Sequence, residues 1–143
     1  MIKPYRDVLF VMAASLLAAG CAGMLPSAPE DRPVSDNNAV VALMDNARAD
    51  VAGGKPDAAV ASLERALRIE PRNPRLWQEL ARLRLQQGQY QQAEGMATRS
   101  NSWAGDNKAL RTENWRLIGE ARLKRGDHQG AQAAFDKAAM QEN

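Results

Sequence analysis

The stretch Gly54-Lys-Pro-Asp-Ala-Ala-Val-Ala-Ser-Leu-Glu-Arg-Ala-Leu-Arg-Ile-Glu-Pro71 returns twice along the chain in altered form. Its landmarks are Gly54, Ala59, Leu63, Ala66 and Pro71. Gly88, Tyr90, Ala93 and Ala97 stand at matching offsets, with Gly88 thirty-four places after Gly54. Gly126, His128, Ala131, Phe135 and Ala138 continue the series, with Gly126 now thirty-eight places after Gly88. Trp77 precedes Gly88 by the same interval at which Trp115 precedes Gly126. Self-similarity at a fixed period marks an array, because each unit needs its neighbour to bury its apolar face.

The period and its landmarks resemble the tetratricopeptide repeat over about 105 of the 143 residues. The resemblance implies an all-α fold, a short right-handed solenoid of about three helix-turn-helix units. They would occupy roughly 40–73, 74–107 and 112–143 within a domain at 38–143. Each landmark then has a mechanical role. The glycines provide the positive φ of the turn between paired helices. Ala59, Ala93 and Ala131 are small where two helices cross closely. Leu63 and Phe135 fill the groove between units, Trp77 and Trp115 pack the first helices, and Pro71 ends its helix. Tyr90 and His128 take the slot where a ring packs between helices.

The array has irregularities. The first unit has Leu43 and Ala47 where the family pairs a large with a small residue, and Pro56 at the turn-ring position. The second ends in Ala97 and Ser100, and a loop at Ser100-Asn-Ser-Trp-Ala-Gly-Asp106 is expected to hold the surplus before the third unit. That loop carries Trp103, either as a lid on the core or as an exposed contact residue. No polar helix caps the third unit, so Ala134 and Met140 are expected to stay exposed or be covered by another chain.

Composition narrows the function. The chain has 19 Lys+Arg against 17 Asp+Glu, a net charge of +2, which is too small for a nucleic-acid binder. One cysteine excludes a disulfide framework and multi-thiolate zinc sites, and one histidine removes most acid/base constellations. No cofactor or metal is expected, and the chain does not read as an enzyme.

Residues 1–20 read as a secretory leader. Lys3 and Arg6 precede a twelve-residue, largely apolar run from Val8 to Ala19, with Asp7 partly offsetting their charge. A membrane-spanning helix needs roughly 20 apolar residues, so the run is too short to be one. Leu17-Ala-Ala-Gly-Cys21 resembles the bacterial lipoprotein lipobox, with Ala18 where that motif prefers Leu. The resemblance implies acylation at Cys21, palmitate included, and cleavage before it. Ala22, in place of the Asp that favours inner-membrane retention in some bacteria, points to the outer membrane facing the periplasm. Residues 21–37 carry Pro26, Pro29 and Pro33 and read as a lipidated tether. At about 3.1 Å per residue such a tether reaches roughly 45 Å from the membrane.

By family register, a peptide groove would be lined by Met44, Arg48, Gln78, Arg82, Gln86, Arg116, Glu120 and Lys124. Arg48, Arg82 and Arg116 repeat at the period of the array and would hold an acidic or C-terminal peptide through bidentate bonds. Solvated surface arginines are the alternative. The Lys-Asn-Asn-Lys-Arg carboxylate clamp of some eukaryotic members is replaced here by Met44, Arg48, Glu79, Glu113 and Leu117. The expected role is an outer-membrane adaptor or assembly factor with a protein or peptide partner, in pilus or secretin assembly or in recruiting peptidoglycan enzymes. The alternatives are a subunit that self-assembles through its uncapped C-terminal unit and a cell-wall hydrolase. The hydrolase lacks a nucleophile–base pair or paired carboxylates.

Overall fold

The computed structural model describes residues 34–142. The leader at 1–20, the lipidation site Cys21 and the tether up to residue 33 lie outside them. Six helices follow in order: α1 (Asn38–Ala52), α2 (Pro56–Ile69), α3 (Pro74–Gln86), α4 (Tyr90–Trp103), α5 (Lys108–Lys124) and α6 (His128–Glu142). They pair as three hairpins, α1 with α2, α3 with α4 and α5 with α6, and successive hairpins stack as a solenoid.

The first helix of each hairpin starts on the same device. Asn37, Asn73 and Asn107 accept backbone N–H groups through their side-chain oxygens, satisfying donors that the helix itself cannot. Each hairpin then turns on a glycine with φ of 70° (Gly54), 74° (Gly88) or 84° (Gly126), a conformation that a side chain resists. Ala59, Ala93 and Ala131 are buried at the crossings. α2 stops at Ile69, just short of Pro71.

Two apolar clusters fill the stack. The first joins α1, α2 and α3 through Val40, Met44, Leu63, Leu67, Leu76 and Leu80. The second joins α3 to α6 through Ala81, Ala97, Leu117, Ile118 and Ala134. Between them lies a buried polar chain. Gln78 Nε2 donates to Asn114 Oδ1 at 2.9 Å and to the Leu110 carbonyl at 3.3 Å. Asn114 Nδ2 donates to Ser100 Oγ at 2.7 Å and Asn101 Oδ1 at 3.0 Å, and Ser100 Oγ donates to the Pro74 carbonyl at 2.7 Å. Ser100 replaces the small apolar residue of the other hairpins for a reason: it is the donor that closes this chain.

Several expectations change. Ser100 to Trp103 form the last turn of α4, not a loop. The surplus lies inside α5, which has 17 residues against 13 in α3 and starts at Lys108, not 112. Asn73 caps α3 and Asn107 caps α5, one full period apart, so the repeat holds at the helix starts and slips only within the helix. Phe135 packs inside its own hairpin, where a Cβ on Gly119 would approach the ring to 2.5 Å. His128 is exposed, while Tyr90 is half-buried. Ala134 faces the core and is buried, but Met140 is 72% exposed.

Candidate peptide-binding groove

α1 and α3 leave a groove of about 260 Å³ between them, closed below by Leu63 of α2. The apolar positions of α1 recur at helical spacing, Met44, Ala47 and Val51, and all three face it. Leu83 completes the floor from α3. Arg48, Glu79, Arg82 and Gln86 form the rim. The groove therefore offers an apolar floor with charged walls, the arrangement that holds a short chain segment by both side chains and register.

The rim charges are already partnered, to different degrees. Arg48 Nη1 lies 3.5 Å from Asp45 Oδ1, and both side chains are mostly exposed. Arg82 reaches Glu79 at 3.1 Å and Glu113 on α5 at 3.3 Å. Glu113 also lies 3.8 Å from Arg116, which in turn pairs with Glu142 at the end of α6. Arg82 and Arg116 belong to one ladder of alternating sign and Arg48 to a separate pair, so an incoming carboxylate must compete with acids of the same chain at each. Arg48 has the most exposed pair, so it is the arginine most easily diverted to a partner.

The structure brings some of the expected lining residues together and separates the others. Met44, Arg48, Arg82 and Gln86 share the groove. Gln78 points away from it into the buried polar chain. Arg116, Glu120 and Lys124 are exposed on α5, outside the groove. The slip within α5 accounts for this: counted back from the turn glycines, Arg116 matches Gln78, not Arg82. Gln78 is buried because the next hairpin covers it, and no described hairpin covers Arg116. Ala47, Val51, Ala52 and Leu83 line the groove without having been expected there. The alternating three-and-four spacing of Met44, Ala47 and Val51 carries that signal for α1.

Among the described residues no group of His, Cys, Asp and Glu is arranged to hold a metal. None of their helices is long and apolar enough to cross a membrane.

The family model of the tetratricopeptide repeat matches residues 50–112. Among solved structures, the globular C-terminal domain of LpoP from P. aeruginosa is 42% identical to this chain, with a TM-score of 0.71. That match covers 73% of this chain and 99% of the LpoP domain. The N-terminal domain of stress-induced protein-1 (STI-1) from C. elegans superposes with a TM-score of 0.68 at 15% identity, a likeness of fold. It covers 72% of this chain and 84% of that one. No match was found among the curated proteins.

Proposed function

The chain belongs to the tetratricopeptide-repeat family, and on that premise we propose that it is a protein-interaction adaptor of the cell envelope. In this reading Cys21 carries the lipid anchor in the outer membrane, residues 22–33 act as the tether, since Val34 to Asn37 are already bonded to the helical domain, and that domain docks a short segment of a peptidoglycan enzyme. The groove between α1 and α3 carries the proposal, because it combines an apolar floor with arginines on its rim. A partner segment would bury apolar side chains against Met44, Leu63 and Leu83 and set a carboxylate on Arg48, with Arg82 as second donor. A cavity of about 260 Å³ accepts a few side chains. That suits recruitment of an enzyme through a short motif better than the holding of a whole pilus or secretin subunit. The 42% identity to a globular domain matched over nearly its full length supports reading this domain as one binding module.

Crosslinked purification from envelopes tests the reading, comparing the native protein with an Arg48→Glu/Arg82→Glu variant. A peptidoglycan enzyme recovered with the native chain and lost from the variant is expected. Equal recovery with both removes the groove from the function. Membrane fractionation of Cys21→Ser tests the anchor, and unchanged fractionation overturns it.

A second reading has its own observation. Leu123 is 45% exposed and Met140 72% exposed at the last hairpin, which leaves apolar surface for a second copy of the chain. Sedimentation across a concentration series separates the two: a single monomeric species rules out assembly through that end.

A further inference from the structure

A second surface, built from α2, α3 and α4 and the turn after α2, has a different chemistry from the groove. Trp103 ends α4 and is 43% exposed. The Arg72 guanidinium lies 5.1 Å from its ring centre, and the Arg99 guanidinium lies 4.9 Å from that of Trp77. Trp77 is fixed from the other side, because its Nε1 donates to the Pro71 carbonyl at 2.9 Å. Pro71, Arg72, Trp77, Arg99, Ser102 and Trp103 line a hollow of about 470 Å³. A second hollow of about 350 Å³ shares Trp77 and adds Leu67, Leu80 and Met96, with Arg68 and Glu64 completing its lining.

The charges differ from those of the groove. Arg48, Arg82 and Arg116 are each answered by an acid of their own chain. Among the described residues, Arg68, Arg72 and Arg99 are in no ion pair. Among the described residues, no acidic side chain lines the 470 Å³ hollow. The nearby acids are engaged elsewhere: Glu70 accepts from Ser35 Oγ and Asn73 Nδ2, and Glu64 lies 3.5 Å from Arg84. Stacking on an indole holds a guanidinium in place while its N–H edge stays available to an acceptor. Two such edges beside an apolar hollow describe one occupant.

We propose that the two adjoining hollows on either side of Trp77 form a second docking surface for an acidic segment of a partner protein, with carboxylates on Arg72 and Arg99 and an apolar anchor against Leu67, Leu80 and Met96. The surface shares no lining residue with the groove of the proposed function and stands without it. A glycan would need open indole faces, and here each ring already carries a guanidinium.

The test uses the full chain and a fluorescein-labelled peptide, Ser-Leu-Glu-Asp-Leu-Ser, followed by polarisation and by the indole N–H signals of Trp77 and Trp103. Binding that moves both indole signals and weakens with salt is expected. Arg72→Glu/Arg99→Glu is expected to weaken it at least about tenfold, and Trp103→Ala to weaken it less. Arg48→Glu/Arg82→Glu should leave it unchanged, which separates this surface from the groove. A peptide with Lys in place of its acids should not bind. Several results overturn the proposal: no movement of the indole signals, equal binding by the Arg72/Arg99 variant, or equal signal movement by anionic lipid vesicles. So does unmasking of the site only when Glu30 and Asp31 are neutralised, since the surface would then hold the chain's own acidic stretch.

Discussion

The two junctions between hairpins are built from different chemistry. Where α2 meets α3, the buried contact is apolar: Leu63, Leu67, Leu76 and Leu80 belong to one cluster, with Met96 and Trp77 against it, and the polar contacts, Glu64 with Arg84 and Asp57 with Gln87, lie at its edge. Where the second hairpin meets α5, Ala81, Ala97, Leu117 and Ile118 form the cluster with Leu85, Met96 and Trp115 against it, and polar groups run through the contact as well. Gln78, Ser100 and Asn114 are buried and bonded to one another there. At its edge Glu94 of α4 receives Arg122 at 2.7 Å and Arg125 at 2.8 Å. An apolar surface attracts without direction, while amides and ion pairs fit one alignment only. The polar junction is the one next to the lengthened helix. α5, with 17 residues against the 13 of α3, is longer by about one turn or roughly 6 Å of rise. We infer that the first junction supplies stability and the second fixes register.

The largest effect is expected at the apolar junction. Leu76→Ala removes a fully buried side chain and should cost about 2–5 kcal/mol, the range for a core cavity. Equilibrium urea unfolding measures it. A loss below about 1 kcal/mol would fit a site that collapses freely and would contradict the division between the junctions.

Much of this architecture was legible in the sequence, and the parts that were not have definite causes. Gly54, Gly88 and Gly126 marked the turns because only a few residue types tolerate positive φ. Ala59, Ala93 and Ala131 marked the crossings because only small residues fit there. The extra turn escaped because two rulers disagree. From Asn73 to Asn107, the capping asparagines, the second and third hairpins are one period apart, whereas from Gly88 to Gly126 the interval is a turn longer. The glycines are the more visible landmark, and counting from them puts the surplus in the segment around Trp103. In the groove, the arginines stood out by spacing, but their partners did not. Glu113 joins Arg82 to Arg116 from another helix, and nothing local announces a pairing across hairpins.

A smaller effect is expected at the packing of the last hairpin. Gly119→Ala would place its Cβ 2.5 Å from the Phe135 ring. Overpacking of this kind costs about 1–3 kcal/mol. Combining it with Phe135→Leu should recover most of the loss. Additive losses in the double variant would show that the two residues are not coupled.

Of similar size is the breaking of the polar chain. Asn114→Ala strands the Gln78 and Ser100 groups that it satisfies, at about 1–3 kcal/mol. The triple change Gln78→Met/Ser100→Ala/Asn114→Leu removes the three mutually bonded side chains together, leaving Asn101 Oδ1 and the Leu110 and Pro74 carbonyls without those donors, and should keep stability within about 1 kcal/mol of native. Its effect is expected in hydrogen exchange, with faster exchange confined to α5 and α6 and a broader unfolding transition. Native protection in those helices would mean that apolar packing alone fixes the register.

The smallest effect separates the junctions by salt. Glu94→Gln removes the acceptor of two arginines whose side chains are 31% and 43% exposed, while Glu94 itself is 19% exposed. After discounting for screening, the expected loss is about 1 kcal/mol. It should shrink as ionic strength rises, since the Debye length falls to about 3 Å at 1 M salt. Asp45→Asn breaks the pair to Arg48, where both side chains are more than half exposed, and should change stability by no more than a few tenths of a kcal/mol at any salt. The difference between these two variants isolates the electrostatic share of the second junction. If salt moved both equally, Glu94 would hold its arginines no more firmly than a surface pair. The alignment of α5 on α4 would then rest on the buried amides alone.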